Sequence, residues 1–593
     1  MYKTPAAARL AQKALSDQSP SLHSTFAKRP ANIIIIMQDT HVEETREKVT
    51  TVAELPGTDT TAVDSKLHGL SSEHVVQEQD GNDSVTLADS IEYPSMWKAM
   101  LIVSGLFMGV FLVALDQTII GTAIPKITDE FKTIQDVGWY GSAYFLTSTA
   151  LQPSYGRIYV SFDSKWAFLL AIFLFEVGSL VCAVAPTSPV LIAGRAIAGL
   201  GVAGIFSGCT VITSFVVPLE KRPLAFSLFG AVWGAAFVAG PLLGGAFTDH
   251  VTWRWCFYIN LPIGAVSAAV VMLVLNPPPR PKDQQGKTIL VRLRELDLIG
   301  AVLLVAAITC LLLVLQWGGK QYTWNDGRII GLLVGFALLL VIFIGWQVWL
   351  GEKATLPPRI MRQRTVASAS VFVVMFGGSA VLFMFYLPIF FQSIRGSSAI
   401  MSGIQMLPML LGLVVASGIV GALVSYFGFY TPFLIGSTAL FAVGAGLITT
   451  YNADMPNATW IGFQILAGMG LGAGFQIPQA AVQTVLAQED IPVGSSALIF
   501  FQNLGGSIFV SVGQAVFQNG LSAGLRDLAP RVDPALVFAT GATGLRQALE
   551  KVGQAGEWPA VLLAYTRGLQ AAFKWRSVKE KKEKGDGTMP HVA

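Results

Sequence analysis

Charge is what this chain has least of. Only 13% of its 593 residues are Asp, Glu, Lys or Arg, about half the share of a soluble globular protein, which excludes a surface made mostly for water. Cysteine is nearly absent. Cys182, Cys209, Cys256 and Cys310 lie in or beside apolar runs, where they read as small hydrophobes rather than a disulfide or metal set. The six histidines (His23, His41, His68, His74, His250 and His591) all fall outside those runs, which argues against a histidine proton relay within a bilayer. Nucleotide-binding loops are missing too. Gly286-Lys287-Thr288 resembles the end of a phosphate loop, but Pro281 stands where a glycine is required. Gly199 to Gly204 fits a dinucleotide fingerprint, yet it lies inside an apolar run with no preceding strand. Without an ATPase module, any pumping must run on an ion gradient. A net charge of +3 gives no reason to expect nucleic acid as a partner.

What is present is hydrophobic, 53% of residues, arranged in runs of about 18 to 25 that predict membrane-spanning helices. The expected class is an all-α polytopic membrane protein. Spans are predicted at 98–123, 137–155, 166–185, 190–213, 225–247, 257–275, 298–316, 329–350, 366–391, 401–424, 431–451, 460–485 and 495–518. With the amino terminus on the cytoplasmic side, the inner loops carry 13 Lys and Arg and the outer loops 6, which supports that orientation. An internal repeat is visible. Gly156, Ile158, Phe162 and Phe168 recur as Gly421, Leu423, Phe427 and Phe433, and Leu243-Gly244-Gly245 recurs as Leu504-Gly505-Gly506. Span one therefore pairs with nine, two with ten and five with thirteen, leaving seven and eight as a central insertion.

The predicted organisation is a disordered cytoplasmic tail over 1–95 and an N-terminal six-helix half over 96–276. A basic loop and two extra helices occupy 277–365, and a C-terminal half with five clear helices occupies 366–520. An outer loop, a truncated last span and a basic tail fill 521–593. The first 30 residues faintly resemble an organelle transit peptide, but a disordered tail or an over-extended start before Met37 is favoured. The fourteenth span is expected to be missing or truncated. Residues 558–573 are short and interrupted by Arg567, and thirteen spans would strand the basic run Lys574–Lys584 outside. The favoured explanation is a helix lost near Phe573 and Lys574, ahead of imperfect re-entry by 558–573.

Charge inside a span is costly enough to suggest a role. Asp116 in span one and Arg195 in span four both fall roughly 8–10 Å below the outer surface at 1.5 Å per residue, so they can pair. Glu176 lies near the middle of span three. These three are the proton-coupling candidates, because coupling needs a carboxylate whose protonation is tuned by desolvation and a nearby cation. A static ion pair that fixes packing is the alternative for Asp116 and Arg195, and a structural hydrogen bond for Glu176. A second group is amide and aromatic: Trp139, Tyr140 and Tyr144 in span two, Gln476, Gln479 and Gln483 on one face of span twelve, and Gln502 and Asn503 in span thirteen. Such residues suit a cavity for amphipathic organic molecules, or else serve interhelical hydrogen bonds. Asn457-Ala458-Thr459 is a glycosylation sequon in an outer loop, close to the membrane.

Span five carries small residues at helical spacing. Gly230, Gly234, Pro241 and Gly245 share one face, which lets another helix approach closely while the proline adds a bend. With Gly240 and Gly244 this stretch resembles the antiporter motif of drug:proton antiporters. Leu115–Pro125, Arg195 with Gly199 and Gly201, Gly240–Gly245 followed by Trp253–Gly264, Tyr386–Gln392, and Ser402-Gly403 with Leu407-Pro408 also look like family signatures. Together, over about 97–520, they resemble the fourteen-span drug:proton antiporter branch of the major facilitator superfamily, particularly fungal toxin and multidrug efflux pumps. The resemblance implies the major facilitator fold, two six-helix halves plus two central helices. It further implies a multi-pass protein of the cell membrane, or of a vacuolar or vesicle membrane. The expected activity is export of small hydrophobic drugs, toxins or metabolites by a monomer, driven by protons without a cofactor. Gly156, Lys165 and Gly421 match the conformational-switch loop, but Val160 and Asp163 depart from it, and Ala198 replaces the glutamine common before Gly199. An importer of a siderophore, sugar or amino acid, and a non-functional truncated copy, are the rival readings. A membrane enzyme is disfavoured because no nucleophile–base group lies in the spans.

Overall fold

The computed structural model describes residues 93–574 apart from 134–135, 278–285, 287, 320–321, 535 and 538–547. The tail expected over 1–95, except its last three residues, and the basic run beyond Lys574 lie outside the described residues. The thirteen expected spans all appear as helices. They are α1 Met96–Phe131, α2 Val137–Ser161, α3 Ser164–Ala183, α4 Ser188–Val216, α5 Arg222–His250 and α6 Asn260–Val274. The central pair is α7 Leu298–Trp317 and α8 Gly327–Leu350. Then follow α9 Arg364–Ser393, α10 Leu407–Phe427, α11 Thr431–Ile448, α12 Asn457–Phe475 with its continuation Ile477–Val485, and α13 Ile491–Leu528. In hydrocarbon only a helix satisfies every backbone donor internally, and the ends are prepared in sequence. The Asp163 carboxylate accepts from the amides of Lys165 and Trp166 at the start of α3, so its departure from the switch-loop pattern serves as a helix cap. Pro189, Pro223, Pro408, Pro432 and Pro492 occupy first turns, where no amide partner is lost.

Two expectations need correction. The stretch 558–573, expected to be interrupted, forms α14, Trp558–Lys574, a 17-residue helix. Arg567 does not break it, because its side chain is 53% exposed and faces Asp527 at 3.6 Å. Small residues let α14 lie against α13: a Cβ on Gly520 would meet the Gly568 Cα at 3.1 Å, and one on Gly524 the Ala564 Cα at 3.0 Å. Phe573 stacks on Phe383 of α9 with centroids 5.3 Å apart. The stretch is therefore helical and unbroken at Arg567, but at 17 residues it stays shorter than the membrane-length spans, as a truncated last span would be. The second correction concerns α12, which is not continuous. It breaks at Gln476, two residues before Pro478, since proline cannot supply the helical amide bond. Among the described residues twelve helices are long and apolar enough to span a membrane by composition alone, and α2 and α14 are not among them.

The repeat is expressed in packing. Gly244 of α5 sits on α1, where a Cβ would meet the Ile119 carbonyl oxygen at 2.7 Å, and its counterpart Gly505 of α13 sits on α9, 2.5 Å from the Val374 carbonyl oxygen. The halves meet along two seams, α2 against α13 and α5 against α10. At their cytoplasmic ends the seams are equivalent. A Cβ on Gly156 would lie 3.0 Å from the Pro492 carbonyl oxygen and 3.1 Å from the Ser496 Cβ, and one on Gly421 would lie 3.0 Å from the Pro223 carbonyl oxygen and 2.9 Å from the Ser227 Cβ.

The central pair is fastened by one buried carboxylate. Asp297 accepts from the Gly300 amide at 2.7 Å, Trp346 Nε1 at 2.8 Å, Gln347 Nε2 at 2.7 Å, and the Thr355 amide and hydroxyl at 3.0 and 2.9 Å. Burial alone would raise its pKa, but hydrogen bonds from Gln347, Trp346, Gly300 and Thr355 outweigh it and hold the carboxyl below the ordinary carboxylate range. A depressed folded value means the stabilisation is present above the unfolded pKa of about 3.9 and is lost as pH falls through the folded value. Asp297→Asn cannot accept all five bonds, so it should lower stability by about 1–3 kcal/mol. Thermal unfolding of the purified protein in detergent measures this, and the deficit should persist down to about pH 4 and shrink only below it.

Candidate functional site

Asp116 and Arg195 are brought together as the sequence suggested. Arg195 Nη1 donates to Asp116 Oδ2 at 2.6 Å, with side chains 1% and 0% exposed. The guanidinium also donates from Nε to the Tyr140 carbonyl at 2.8 Å and lies 4.2 Å from the centre of the Tyr144 ring. A fixed arginine with a carboxylate, a carbonyl and an aromatic face around it needs no water to solvate it. The helix of span one runs on to Phe131, well past the predicted end at 123, so Asp116 sits nearer the middle of its helix than the span boundaries implied.

One partner of the pair, Asn260, was not foreseen from the sequence. Asn260, at the start of α6, donates through Nδ2 to Asp116 Oδ1 at 3.3 Å and to Ser179 Oγ at 3.1 Å. It therefore ties α1 to α3 through α6. The signal was available, because Asn260 is a polar residue in an apolar stretch of the Trp253–Gly264 signature. The rest of that signature is anchored at the outer end. Trp253 Nε1 donates to Glu130 Oε2 at 2.6 Å, and Arg254 pairs with Glu130 at 2.8 Å while donating to the carbonyls of Ala183 and Ala185 at 2.9 and 2.8 Å. Glu176 lies on α3 one turn inward from Ser179, with its carboxyl against Gly264.

The amide and aromatic candidates separate into different places. Tyr140 and Tyr144 are buried in the N-terminal half, Tyr140 sharing a 2.9 Å hydrogen bond with Ser188 and Tyr144 donating to the Val113 carbonyl at 3.4 Å. Trp139 is half-buried near the outer end of α2. Gln483 belongs to the cytoplasmic seam: Arg222 Nη1 donates to its Oε1 at 3.5 Å, and its Nε2 donates to the Thr210 carbonyl and to Ser495 Oγ, both at 3.3 Å. Ser496 and Gln152 both donate to Ser207 Oγ, at 2.9 and 2.7 Å, in the same region. Gln476 lies beside Gly230, and the buried Nε2 of Gln479 has no acceptor among the described residues. Gln502 rests on Gly377 of α9, and Asn503 is half-buried.

The α5 glycines serve two faces. Gly234 and Gly245 look across the seam to Val414 and Ile400, at 3.2 and 3.8 Å for an added Cβ, and Pro241 lies near Gly403. Gly240 and Gly244 instead press on Thr118, Ile119 and Thr122 of α1, within the same half. In the switch loop, Lys165 Nζ donates to the Leu275 carbonyl at the end of α6, at 3.0 Å. Asn457 is exposed in the first turn of α12, and its Oδ1 accepts from Arg395 and Trp460, both at 3.0 Å.

Two repeated helical halves that meet along two seams, one half holding a buried charge centre, have the architecture of a membrane transporter. The chain belongs to the Major Facilitator Superfamily, whose family profile matches residues 106–510. It is 49% identical over 482 residues to the MFS-type transporter astH of Aspergillus oryzae, covering 81% of this chain and 84% of that protein. It is 46% identical over 528 residues to the MFS-type efflux pump MFS1 of Arthroderma benhamiae, covering 85% and 98%. Among solved structures, the human organic anion transporter MFSD10 (TETRAN) shares the fold at a TM-score of 0.51, with 14% identity over 79% of this chain and 99% of that one. The protein is a multi-pass membrane transporter, and the sequence resemblance to fungal efflux members of this family is sound.

Proposed function

We propose that this chain exports small hydrophobic organic molecules and couples that export to proton entry at the Asp116–Arg195–Glu176 centre. The export direction is supported by relatives such as MFS1, named an efflux pump. The coupling is supported by one observation above others, the fully buried 2.6 Å pair between Asp116 and Arg195. Transport proceeds by rocking of the two halves about their seams. The cytoplasmic seam bonds of Gln483 and Ser496 break when the cavity opens inward, and the aromatic and amide groups nearer the middle contact the substrate. The centre lies wholly inside the N-terminal half, so protonation there changes how α1, α3, α4 and α6 hold one another, and α1 transmits this to α5 through Gly240 and Gly244.

The test uses the full-length protein in inside-out vesicles with rhodamine 6G as a lipophilic fluorescent probe. A pH gradient, acid inside, should drive dye accumulation in the wild type. Asp116→Asn should reduce pH-driven accumulation to the level of protein-free vesicles. If the variant accumulates dye as well as the wild type does, the centre does not couple transport. Dye uptake that runs with protons, rather than against them, would favour the importer reading.

A further inference from the structure

Within this centre, which rests on the proton-coupling reading above, we propose that Glu176 is the group that carries the proton, while Asp116 and Arg195 remain an ion pair. The two carboxylates are unequally provided for. Asp116 has one oxygen on the Arg195 guanidinium and the other on the Asn260 amide. Glu176 has both carboxyl oxygens buried and neither has a hydrogen-bond partner among the described residues. A carboxylate held in that way loses its hydration with nothing in exchange, so the neutral acid is the favoured form there. The cation of this centre is already committed, since Arg195 donates to Asp116 and to the Tyr140 carbonyl.

A second orphan lies in the adjoining turn. Asn260 spends its amide nitrogen on Asp116 and Ser179, and its Oδ1 is buried with no donor. Glu176 and Ser179 stand one turn apart on α3, and Gly264 and Asn260 one turn apart on α6. So three buried acceptor atoms, the two Glu176 oxygens and Asn260 Oδ1, lie on adjoining turns and none receives a hydrogen bond among the described residues. Buried polar atoms are rarely left so, and a proton on Glu176 supplies the missing O–H. The place is shaped for the carboxyl: a Cβ on Gly264 would overlap Glu176 Oε1 and lie 2.6 Å from its Cδ.

The ionisable groups on the surrounding elements leave this assignment intact. Asp116 on α1 is negative and opposes a second charge nearby. On α4 the cation is Arg195. Towards the outer end Arg254 is occupied by Glu130 and two carbonyls, with Cys256 and Tyr258 in the adjoining turn, and at the inner end of α3 Lys165 is bound to the Leu275 carbonyl. Cys182 on α3 itself donates to the Leu191 carbonyl. Between Asn260 and Val274, α6 has no ionisable side chain. In the transport step a proton from outside water binds a Glu176 carboxylate oxygen, forming an O–H bond. The same bond breaks when the proton passes to cytoplasmic water, and no electrons change hands.

The experiment has two arms on the full-length protein, with the isosteric Glu176→Gln variant checked for monodispersity and thermal stability. Infrared difference spectroscopy at neutral pH should show the C=O stretching band of a protonated carboxylic acid in the wild type. Glu176→Gln should abolish that band, and Glu176→Asp should retain it, shifted. In vesicles, Glu176→Gln should still move rhodamine 6G down its own gradient but lose all response to the pH gradient. A band that persists in Glu176→Gln, or dye accumulation that stays pH-driven, overturns the assignment. If the wild type moves no dye at all, the export reading fails for that probe, while the infrared arm still decides whether Glu176 holds a proton.

Discussion

Arg195→Ala is expected to yield protein that neither transports nor survives purification well. Removing one member of a buried ion pair leaves the other charge uncompensated, a loss of about 3–5 kcal/mol. Here the stranded group is Asp116, 0% exposed, which keeps the Asn260 amide but loses its guanidinium. Tyr140 would lose the donor to its carbonyl, and the Tyr144 ring its cation. Thermal unfolding in detergent should show a clear drop in melting temperature, and rhodamine 6G accumulation in vesicles should be lost. Arg195→Lys should recover much of the stability and little of the transport. An ammonium can pair with Asp116, but it cannot hold the carboxylate and the Tyr140 carbonyl in one planar fork. Wild-type stability in Arg195→Ala would show that the pair contributes nothing to the fold.

Gly240→Ala is expected to have the next largest effect, and Gly234→Ala supplies the contrast. A Cβ on Gly240 would overlap Thr118 Oγ1 and lie 2.7 Å from the Thr118 Cβ, with Ile119 behind it. The Thr118 hydroxyl is itself held by the carbonyls of Ala114, Leu115 and Ala236, so it cannot swing aside freely. Overpacking of this kind costs about 1–3 kcal/mol, and the displaced helix is the one that carries Asp116. A Cβ on Gly234 meets only the Val414 Cγ2, at 3.2 Å, across the seam between halves. Gly234→Ala should therefore unfold within about 0.5 kcal/mol of the wild type while slowing transport, because the contact it tightens must open in each cycle. Equal loss of stability in both variants would refute the division of α5 into a fixed face and a moving face.

Much of this was legible before any coordinates. Apolar run length alone placed thirteen helices, since a bilayer leaves the backbone no other satisfied conformation. The repeated Gly156 and Gly421 turned out to occupy equivalent seams, and Gly244 and Gly505 equivalent intra-half contacts. The pairing of Asp116 with Arg195 also followed from depth and charge. Other features were hidden for definite reasons. Arg567 looked like an interruption because sequence does not show which way a side chain points, and it points outward. Gln476, Gln479 and Gln483 looked like one face because helical spacing assumes an unbroken helix, and Pro478 breaks it. Asn260 was overlooked because an isolated amide carries no charge to mark it.

The sequence by itself determined where thirteen of the helices lie, the two-fold repeat and which residues are too polar for lipid to be there idly. Those follow from length and transfer cost, both properties of single segments. The tertiary structure alone decided how the polar residues divide. It gave Asp116 two donors and left Glu176 none, sent Gln483 to the cytoplasmic seam, and set Gly240 against α1 while Gly234 faced the other half. These depend on which atoms meet across helices distant in sequence, 79 residues for Asp116 and Arg195 and 144 for Asp116 and Asn260, and no local pattern encodes that meeting.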